Sequence, residues 1–214
     1  MRTARGFVVT LLGAESTGKT TLARDLCQAL ASDDLRVIVV PEYLREFCDQ
    51  HRRTPQPHEQ ALIADEQTRR IEVAARTHDI VIADTSALMI AVYSDQVFGD
   101  TSLYASAQVA HARCDLTLLT ALDLAWQADG LQRDGPHVRE PVHARVRAAL
   151  GRAGSSYSVV FGSGAARLEA ALASVQRALA PARADGDEGG ARWHWHCERC
   201  GDANCERHAL LPRL

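Results

Sequence analysis

The feature that most constrains this chain is a glycine-rich segment near its start, residues 13–20, with the sequence GAESTGKT. It matches the phosphate-binding pattern G-x-x-x-x-G-K-[ST] at every fixed position. An apolar run over 7–12 precedes the segment, and Leu22, Leu26 and Leu30 follow it at helical spacing. A nucleotide-binding loop lies between a strand and a helix in this order, and a chance match in a turn does not require these neighbours. We therefore predict a P-loop.

Each fixed position of this loop has a chemical reason. Gly13 and Gly18 let successive backbone N–H groups turn towards one anion, at the positive end of the following helix. Lys19 is predicted to reach the β- and γ-phosphates of ATP, and the hydroxyl of Thr20 to hold Mg²⁺. The residues expected to contact the nucleotide are Gly13, Glu15, Ser16, Thr17, Gly18, Lys19, Thr20 and Thr21.

Length and composition place the chain among ordinary globular proteins. Its 214 residues are 46% hydrophobic and 24% charged, with a formal net charge of -3. Because there is no basic excess, we expect no nucleic-acid partner. The first apolar run leads into the P-loop instead of a small-residue cleavage site, so we interpret it as a strand and expect a cytoplasmic protein without a membrane partner. A homo-oligomer stays an open alternative.

Four more segments have the composition of buried strands. Nearly continuous apolar, β-branched runs are typical of parallel strands that are covered on both faces. They occupy residues 35–40, 79–83, 116–120 and 157–161. Together with the first run and the helices between them, they predict an α/β fold. We expect a P-loop NTPase of three α/β/α layers, whose five parallel strands have the order 2-3-1-4-5.

Pattern and composition also predict helices and domain boundaries. Amphipathic spacing indicates a long helix over 55–78 and a later helix that begins at Val142. Residues 181–192 have the polar, glycine-rich composition of a linker. We therefore predict a P-loop domain over 1–180, followed by this linker and a separate tail over 193–214.

Two carboxylates are expected at the ligand-binding edge of the sheet. Glu42 directly follows the second strand and Asp84 directly follows the third, and open α/β sheets bind ligands at these carboxyl ends. Either side chain can accept a proton from a substrate hydroxyl or help to hold Mg²⁺, and the sequence does not decide which is the base. The alternative is structural: Glu42 as a first-turn acid of a helix, and Asp84 as the cap of a helix that begins at Ser86.

The segments after the fourth and fifth strands are predicted to close the nucleotide site. Residues 123–139 are polar and contain Arg133 and Arg139, which suits a lid whose arginines meet the charge on a transferring phosphoryl group. The alternative is a solvated surface loop. Trp126 either pins this loop or stacks on a flat ring. The turn at 162–164 is expected to lie against the adenine.

The tail has the spacing of a zinc site. Cys197, Cys200, Cys205 and His208 form C-x2-C-x4-C-x2-H, which predicts one tetrahedral, structural Zn²⁺. His194 or His196 replaces His208 in the alternative ligand sets. The remaining alternative is a thiol-rich tail without a metal.

With these residues in view, the chain resembles the nicotinamide riboside kinase domain of the bifunctional NAD-salvage regulators. The resemblance rests on GAESTGKTTLA, PEYLRE, the Asp84-Thr85 strand end, Tyr93 with Phe98-Gly99, and the stretch D-x-x-W-x-x-D-G-L, found at 13–23, 41–46, 84–85, 93–99 and 123–131.

This resemblance implies ATP-dependent phosphorylation of the 5′-hydroxyl of a riboside, with Trp126 near the flat base. Nicotinamide riboside is the first candidate acceptor. The substrate contacts expected on this basis are Glu42, Tyr43, Arg45, Tyr93, Trp126 and Asp129. The alternative function is a P-loop switch or binding protein with slow ATP hydrolysis, whose zinc-stabilised tail docks a partner.

Overall fold

Five parallel strands form one sheet in the order β2-β3-β1-β4-β5, which confirms the predicted order. The structure, a computed structural model, describes residues 5–32, 34–127 and 135–180. The strands are β1 (Phe7–Leu12), β2 (Val37–Val40), β3 (Ile80–Asp84), β4 (Leu116–Thr120) and β5 (Ser158–Val160). The helices are α1 (Lys19–Leu30), α2 (Tyr43–His51), α3 (Gln60–Thr77), α4 (Ala87–Phe98), α5 (Tyr104–His111), α6 (Arg139–Arg152) and α7 (Gly164–Leu179).

The register of the central strands brings their carboxyl ends to one edge. Leu11 of β1 stands opposite Asp84 of β3, and Leu12 stands opposite Leu119 of β4. Because all the pairs are parallel, the P-loop after β1 and the carboxylate at the end of β3 emerge side by side. The sheet therefore fixes the position of the phosphate-binding loop.

Helices cover both faces of the sheet and make the three layers. Leu11 of β1 packs with Leu22 and Leu26 of α1 in one core, while the next residue, Leu12, packs with α4 and α6 on the opposite face. Successive strand residues point to opposite faces, so an unbroken apolar strand is what two covered faces require. Burying each such leucine contributes about 1.5–3 kcal/mol.

The most apolar helix is α4. Its residues Ala87–Val92 are all buried, with at most 3% of any residue exposed. A helix that is apolar on every side needs neighbours on every side, and α4 packs against α3, α5 and α6. It follows β3 in the chain and packs against one face of the sheet, where it contacts Leu12 and Leu119.

Several predicted boundaries were wrong by a few residues, for local reasons. The second strand begins at Val37 because Leu35 is exposed beside an isolated bridge to Ser32. The helix predicted from residue 55 begins at Gln60, after a 3-10 turn at Pro57–Glu59. The helix predicted from Val142 begins at Arg139, because a proline in the first turn has no N–H that the helix needs.

Helix α2 was predicted only in the structural alternative for Glu42, and it follows β2 almost at once. Its N-cap residue is Glu42, and its carboxyl end is Arg52 in the left-handed conformation. Among the described residues, no helix is long and apolar enough to cross a bilayer. The linker over 181–192 and the tail over 193–214 lie outside the described residues, so the predicted division of the chain stays a prediction.

Candidate active site

The P-loop has the backbone geometry that its glycines were predicted to permit. Gly13 has φ 148°, and a Cβ there would stand 2.0 Å from the Thr120 hydroxyl oxygen. Gly18 has φ 75° at the start of α1, and a Cβ there would stand 3.0 Å from the Leu124 side chain. Any other residue at Gly13 would clash with β4. The close contact with β4 explains why the first glycine of the pattern is needed here.

The lysine and the threonine of the loop make hydrogen bonds within the site. Lys19 Nζ donates hydrogen bonds of 2.8 Å to the carbonyls of Gly13 and Ala14. Thr20 Oγ1 donates a 2.6 Å hydrogen bond to Asp84 Oδ2. The other carboxylate oxygen, Asp84 Oδ1, is buried and has no hydrogen-bond partner among the described residues. A hydroxyl and a carboxylate with an unsatisfied oxygen are hard-oxygen donors of the kind that Mg²⁺ prefers.

The chain turns sharply immediately after Asp84. Thr85 has φ 85°, which is a strained conformation for a β-branched residue, and its N–H donates to the carbonyl of Ala83. Ser86 is then the N-cap of α4, and its hydroxyl accepts a hydrogen bond from the N–H of Leu88 at 3.3 Å. The capping alternative for Asp84 is therefore wrong, because Ser86 has that position and Asp84 is paired with the P-loop.

Glu42 stands at the N-cap of α2, but its side chain makes no capping hydrogen bond. One carboxylate oxygen lies 3.9 Å from Arg45 Nε, and only 16% of the glutamate side chain is exposed. Both side chains line the same cleft as the P-loop. The structure thus brings Glu42 and Arg45 into the cleft that the P-loop lines.

This cleft has a volume of about 750 Å³. Of the predicted site residues it is lined by Glu15, Ser16, Thr17, Gly18, Lys19, Thr20, Thr21, Glu42, Arg45 and Tyr93, together with Ser163 and Gly164 of the predicted turn. The wall beyond Glu42 was not predicted; it consists of Leu44, Cys48, Thr54, Pro55, Gln60, Val97 and Phe98. One end of the cleft is therefore phosphate-binding, and the other is largely apolar with a few polar groups.

Among the described residues, Tyr43 and Trp126 do not line the cleft. Tyr43 is half-buried beneath the guanidinium of Arg70, whose carbon lies 4.4 Å from the ring centroid. Trp126 is half-buried, and its indole N–H has no partner among the described residues. Asp129 and Arg133 lie outside the described residues. Their roles stay predictions.

Arg139 was predicted to close over the phosphates, and the structure places it elsewhere. It is 8% exposed at the start of α6, and its Nη1 donates a 2.9 Å hydrogen bond to the carbonyl of Leu124. Leu124 lines the cleft beside Gly18, whereas Arg139 does not. In this structure Arg139 therefore contacts the site through the backbone of Leu124.

Sequence reasoning missed Arg167. This residue of α7 is 5% exposed, lines the cleft and hydrogen-bonds to the P-loop backbone. Gln127 was missed as well; its N–H donates a 2.8 Å hydrogen bond to Ser16 Oγ. No local pattern marks either residue. For Arg167 the reason is that an arginine in an amphipathic helix is usually a surface residue.

A buried histidine lies behind the turn that follows Asp84. His111 is 3% exposed and hydrogen-bonds through its two ring nitrogens to Ser86 Oγ at 3.3 Å and Thr117 Oγ1 at 3.0 Å. Loss of hydration on burial lowers the pKa of His111 from 6.5 to about 4. The imidazole is therefore neutral at pH 7 and joins α4, α5 and β4 through uncharged hydrogen bonds.

We expect this histidine to make the fold sensitive to mild acid. Between pH 6.5 and 4 the unfolded chain binds a proton at His111 that the native protein does not bind, so the stability present above pH 6.5 falls as the pH is lowered. The full loss from this group is about 3 kcal/mol. Urea unfolding at pH 7 and pH 5 measures the part of this loss that falls between those two pH values. His111→Gln should have a smaller pH dependence than the wild type, and an equal dependence would contradict the assignment.

The order of strand, loop and helix, together with a carboxylate that is hydrogen-bonded to the loop threonine, defines a P-loop nucleotide-binding domain. A family model described as an AAA domain matches residues 8–167. The chain therefore belongs to the AAA domain family. No curated protein matches the chain.

The solved structures that share its fold include two of NadR. The structure of NadR protein in complex with NR is 21% identical, with a TM-score of 0.70, and the match covers 85% of this chain and 53% of that one. The structure of NadR protein in complex with NAD and AMP-PNP is 23% identical in sequence, with a TM-score of 0.64, and the match covers 82% of this chain and 50% of that one. The chain thus spans about half the length of these proteins, and at such identities the likeness shows the fold alone.

Proposed function

We propose that the protein is an ATP-dependent kinase that phosphorylates a hydroxyl of a riboside, with nicotinamide riboside as the first candidate. One observation carries this proposal: the P-loop and Glu42 line a single cleft of about 750 Å³. A cleft that continues from the P-loop to Glu42 offers an acceptor a place beside the nucleotide. The NadR structures add support, because the NadR protein was solved in complex with NR and in complex with NAD and AMP-PNP.

The P-loop residues bind and orient the nucleotide. ATP supplies the phosphoryl group, and Mg²⁺ neutralises charge on the phosphates as they separate. Lys19 exchanges its hydrogen bonds to the loop carbonyls for the β- and γ-phosphate oxygens. Thr20 and Asp84, already hydrogen-bonded to each other, are the residues that would hold Mg²⁺.

Glu42 is the better candidate for the base. Its side chain lines the cleft, whereas Asp84 pairs with Thr20 and does not line it. Glu42 takes the proton of the acceptor hydroxyl while that oxygen bonds to the γ-phosphorus and the bond to the β–γ bridging oxygen breaks, which releases ADP. Arg45 lies beside this carboxylate, with its Nε 3.9 Å from the nearer oxygen, and its positive charge faces the same cleft.

The wall beyond Glu42 suits a sugar that carries a flat base. Tyr93 and Phe98 provide aromatic surface, and Thr54 and Gln60 provide polar groups. Aromatic faces stack on planar rings, while hydroxyl and amide groups pair with sugar hydroxyls. A riboside presents both kinds of surface.

The second candidate is an ATPase switch or binding protein. The match to the AAA domain family favours it, because that match does not specify an acceptor. ATP consumption measured with and without a panel of ribosides separates the two functions. Turnover stimulated by one riboside supports the kinase, and turnover that no acceptor changes supports the switch.

A structural zinc in the tail stays part of the proposal. Among the described residues, no group of three or more His, Cys, Asp or Glu side chains is placed to hold a metal. The predicted ligands Cys197, Cys200, Cys205 and His208 lie outside those residues, and their spacing supports the assignment. Metal analysis of the purified chain should find about one zinc, and zinc-free protein would contradict it.

A further inference from the structure

Arg167 joins three segments that meet at the nucleotide end of the cleft. Its Nη2 donates a 2.7 Å hydrogen bond to the carbonyl of Thr17 in the P-loop. Its Nη1 donates to the carbonyl of Gly162 at 2.8 Å and to Asp123 Oδ1 at 3.2 Å. The three acceptors follow β1, β5 and β4 respectively. One buried guanidinium therefore fixes the relative positions of loops from three different strands.

Asp123 completes this arrangement. Its second carboxylate oxygen accepts a hydrogen bond from the N–H of Gly162. Burial on its own would raise the pKa of Asp123, but the hydrogen bonds from Gly162 and Arg167 outweigh it and hold that pKa below its ordinary value. The carboxylate is therefore charged at neutral pH and pairs with the guanidinium. A carboxylate that accepts a charge-assisted hydrogen bond on one oxygen and a backbone hydrogen bond on the other fixes geometry as well as adding energy.

The segment that Asp123 begins, residues 123–127, lies along the P-loop. Leu124 lies beside Gly18, and the Gln127 N–H donates to Ser16 Oγ. Arg139 also contacts this segment, because its Nη1 donates to the Leu124 carbonyl. Two buried arginines on different helices thus hold one short segment against the phosphate-binding loop.

We propose that Arg167 is a positioning residue of the nucleotide site, which holds the P-loop, the 162–164 turn and the 123–127 segment in the arrangement that binds ATP. The inference rests on the proposed function only in taking the ligand of the cleft to be a nucleotide. A buried arginine with only a structural role would stabilise the fold without setting nucleotide affinity. Arg167 differs because it lines the cleft itself and bonds to the P-loop backbone.

The test measures binding of a fluorescent ATP analogue to the full chain with Mg²⁺ and no acceptor. Arg167→Met keeps the volume of the side chain but removes all three hydrogen bonds, and should raise the Kd about 10-fold or more. Arg167→Lys keeps the charge and one donor, and should recover part of that loss. The matched control is Arg177→Met on the same helix, an exposed arginine bonded to Ser174, which should leave the Kd unchanged.

Thermal unfolding of each variant separates affinity from folding. If Arg167→Met does not fold, Asp123→Asn removes the charged partner at a half-exposed position and should raise the Kd by a smaller factor. An unchanged Kd in a folded Arg167→Met protein, or an equal loss in Arg177→Met, would overturn the inference. Because no acceptor is present, failure of the kinase proposal leaves this result intact. Where turnover is measurable, the KM for ATP should rise while the KM for the acceptor stays constant.

Discussion

Lys19→Ala is expected to abolish ATP turnover and to leave the fold intact. In the structure the ammonium group hydrogen-bonds to two loop carbonyls, and the residue belongs to no apolar cluster of the core. Its loss removes a positive charge from the β- and γ-phosphates, which should cost about 10³-fold or more in turnover. A coupled ATPase assay with thermal unfolding of both proteins checks the two halves of the prediction. Retained turnover would contradict the assignment of the nucleotide site.

The same lysine allows a direct control, because it is the only lysine among the 214 residues. An amine-reactive reagent should therefore label the wild type at Lys19 and at the α-amino group, and Lys19→Ala at the α-amino group alone. ATP with Mg²⁺ should protect one of the two amines in the wild type. Lys19→Arg keeps a positive charge with a different shape, and should retain more nucleotide affinity than Lys19→Ala.

Glu42→Gln and Asp84→Asn are each expected to lower turnover about 10²-fold or more. Each substitution keeps the size of the side chain and removes its charge. Asp84→Asn should raise the concentration of Mg²⁺ needed for half-maximal turnover, because the carboxylate pairs with the Mg²⁺-binding threonine. Glu42→Gln should leave that concentration unchanged and should still bind ATP.

Matched controls lie on the same elements. Glu46→Gln changes the next turn of α2, where the carboxylate pairs with Arg70 outside the cleft. Asp79→Asn changes the residue before β3, where the carboxylate pairs with Arg36. Both controls should keep turnover within about threefold, since exposed ion pairs contribute little. Losses in the controls as large as those at the two site carboxylates would indicate structural roles instead.

The parallel sheet was predictable because its strands are buried on both faces. β1, β3 and β4 are nearly continuous apolar runs, and a parallel sheet covered by helices requires such runs. The ends of elements were less predictable because they depend on capping. The beginning of α3 depends on a capping box between Gln56 and Glu59, and the beginning of α6 on a proline-led 3-10 turn.

The residues of the site also fall into a predictable group and an unpredictable one. The P-loop residues and the two strand-end carboxylates follow from local sequence, because the sheet alone determines where the loops after its strands emerge. Arg167 and the wall around Phe98 do not, since they reach the cleft from helices that tertiary packing brings together. Arg139 shows the same limit: its position in the chain suggested a phosphate contact, and the packing of α6 directs it to the backbone of Leu124.

The central claim is phosphoryl transfer to a riboside, and mass spectrometry of the products tests it most directly. The full chain with ATP, Mg²⁺ and nicotinamide riboside should form the 5′-monophosphate of that riboside and ADP in equal amounts. Lys19→Ala should form neither, and a panel of other ribosides in parallel reactions identifies the preferred acceptor. Formation of ADP and inorganic phosphate, with no phosphorylated riboside from any member of the panel, would contradict the account.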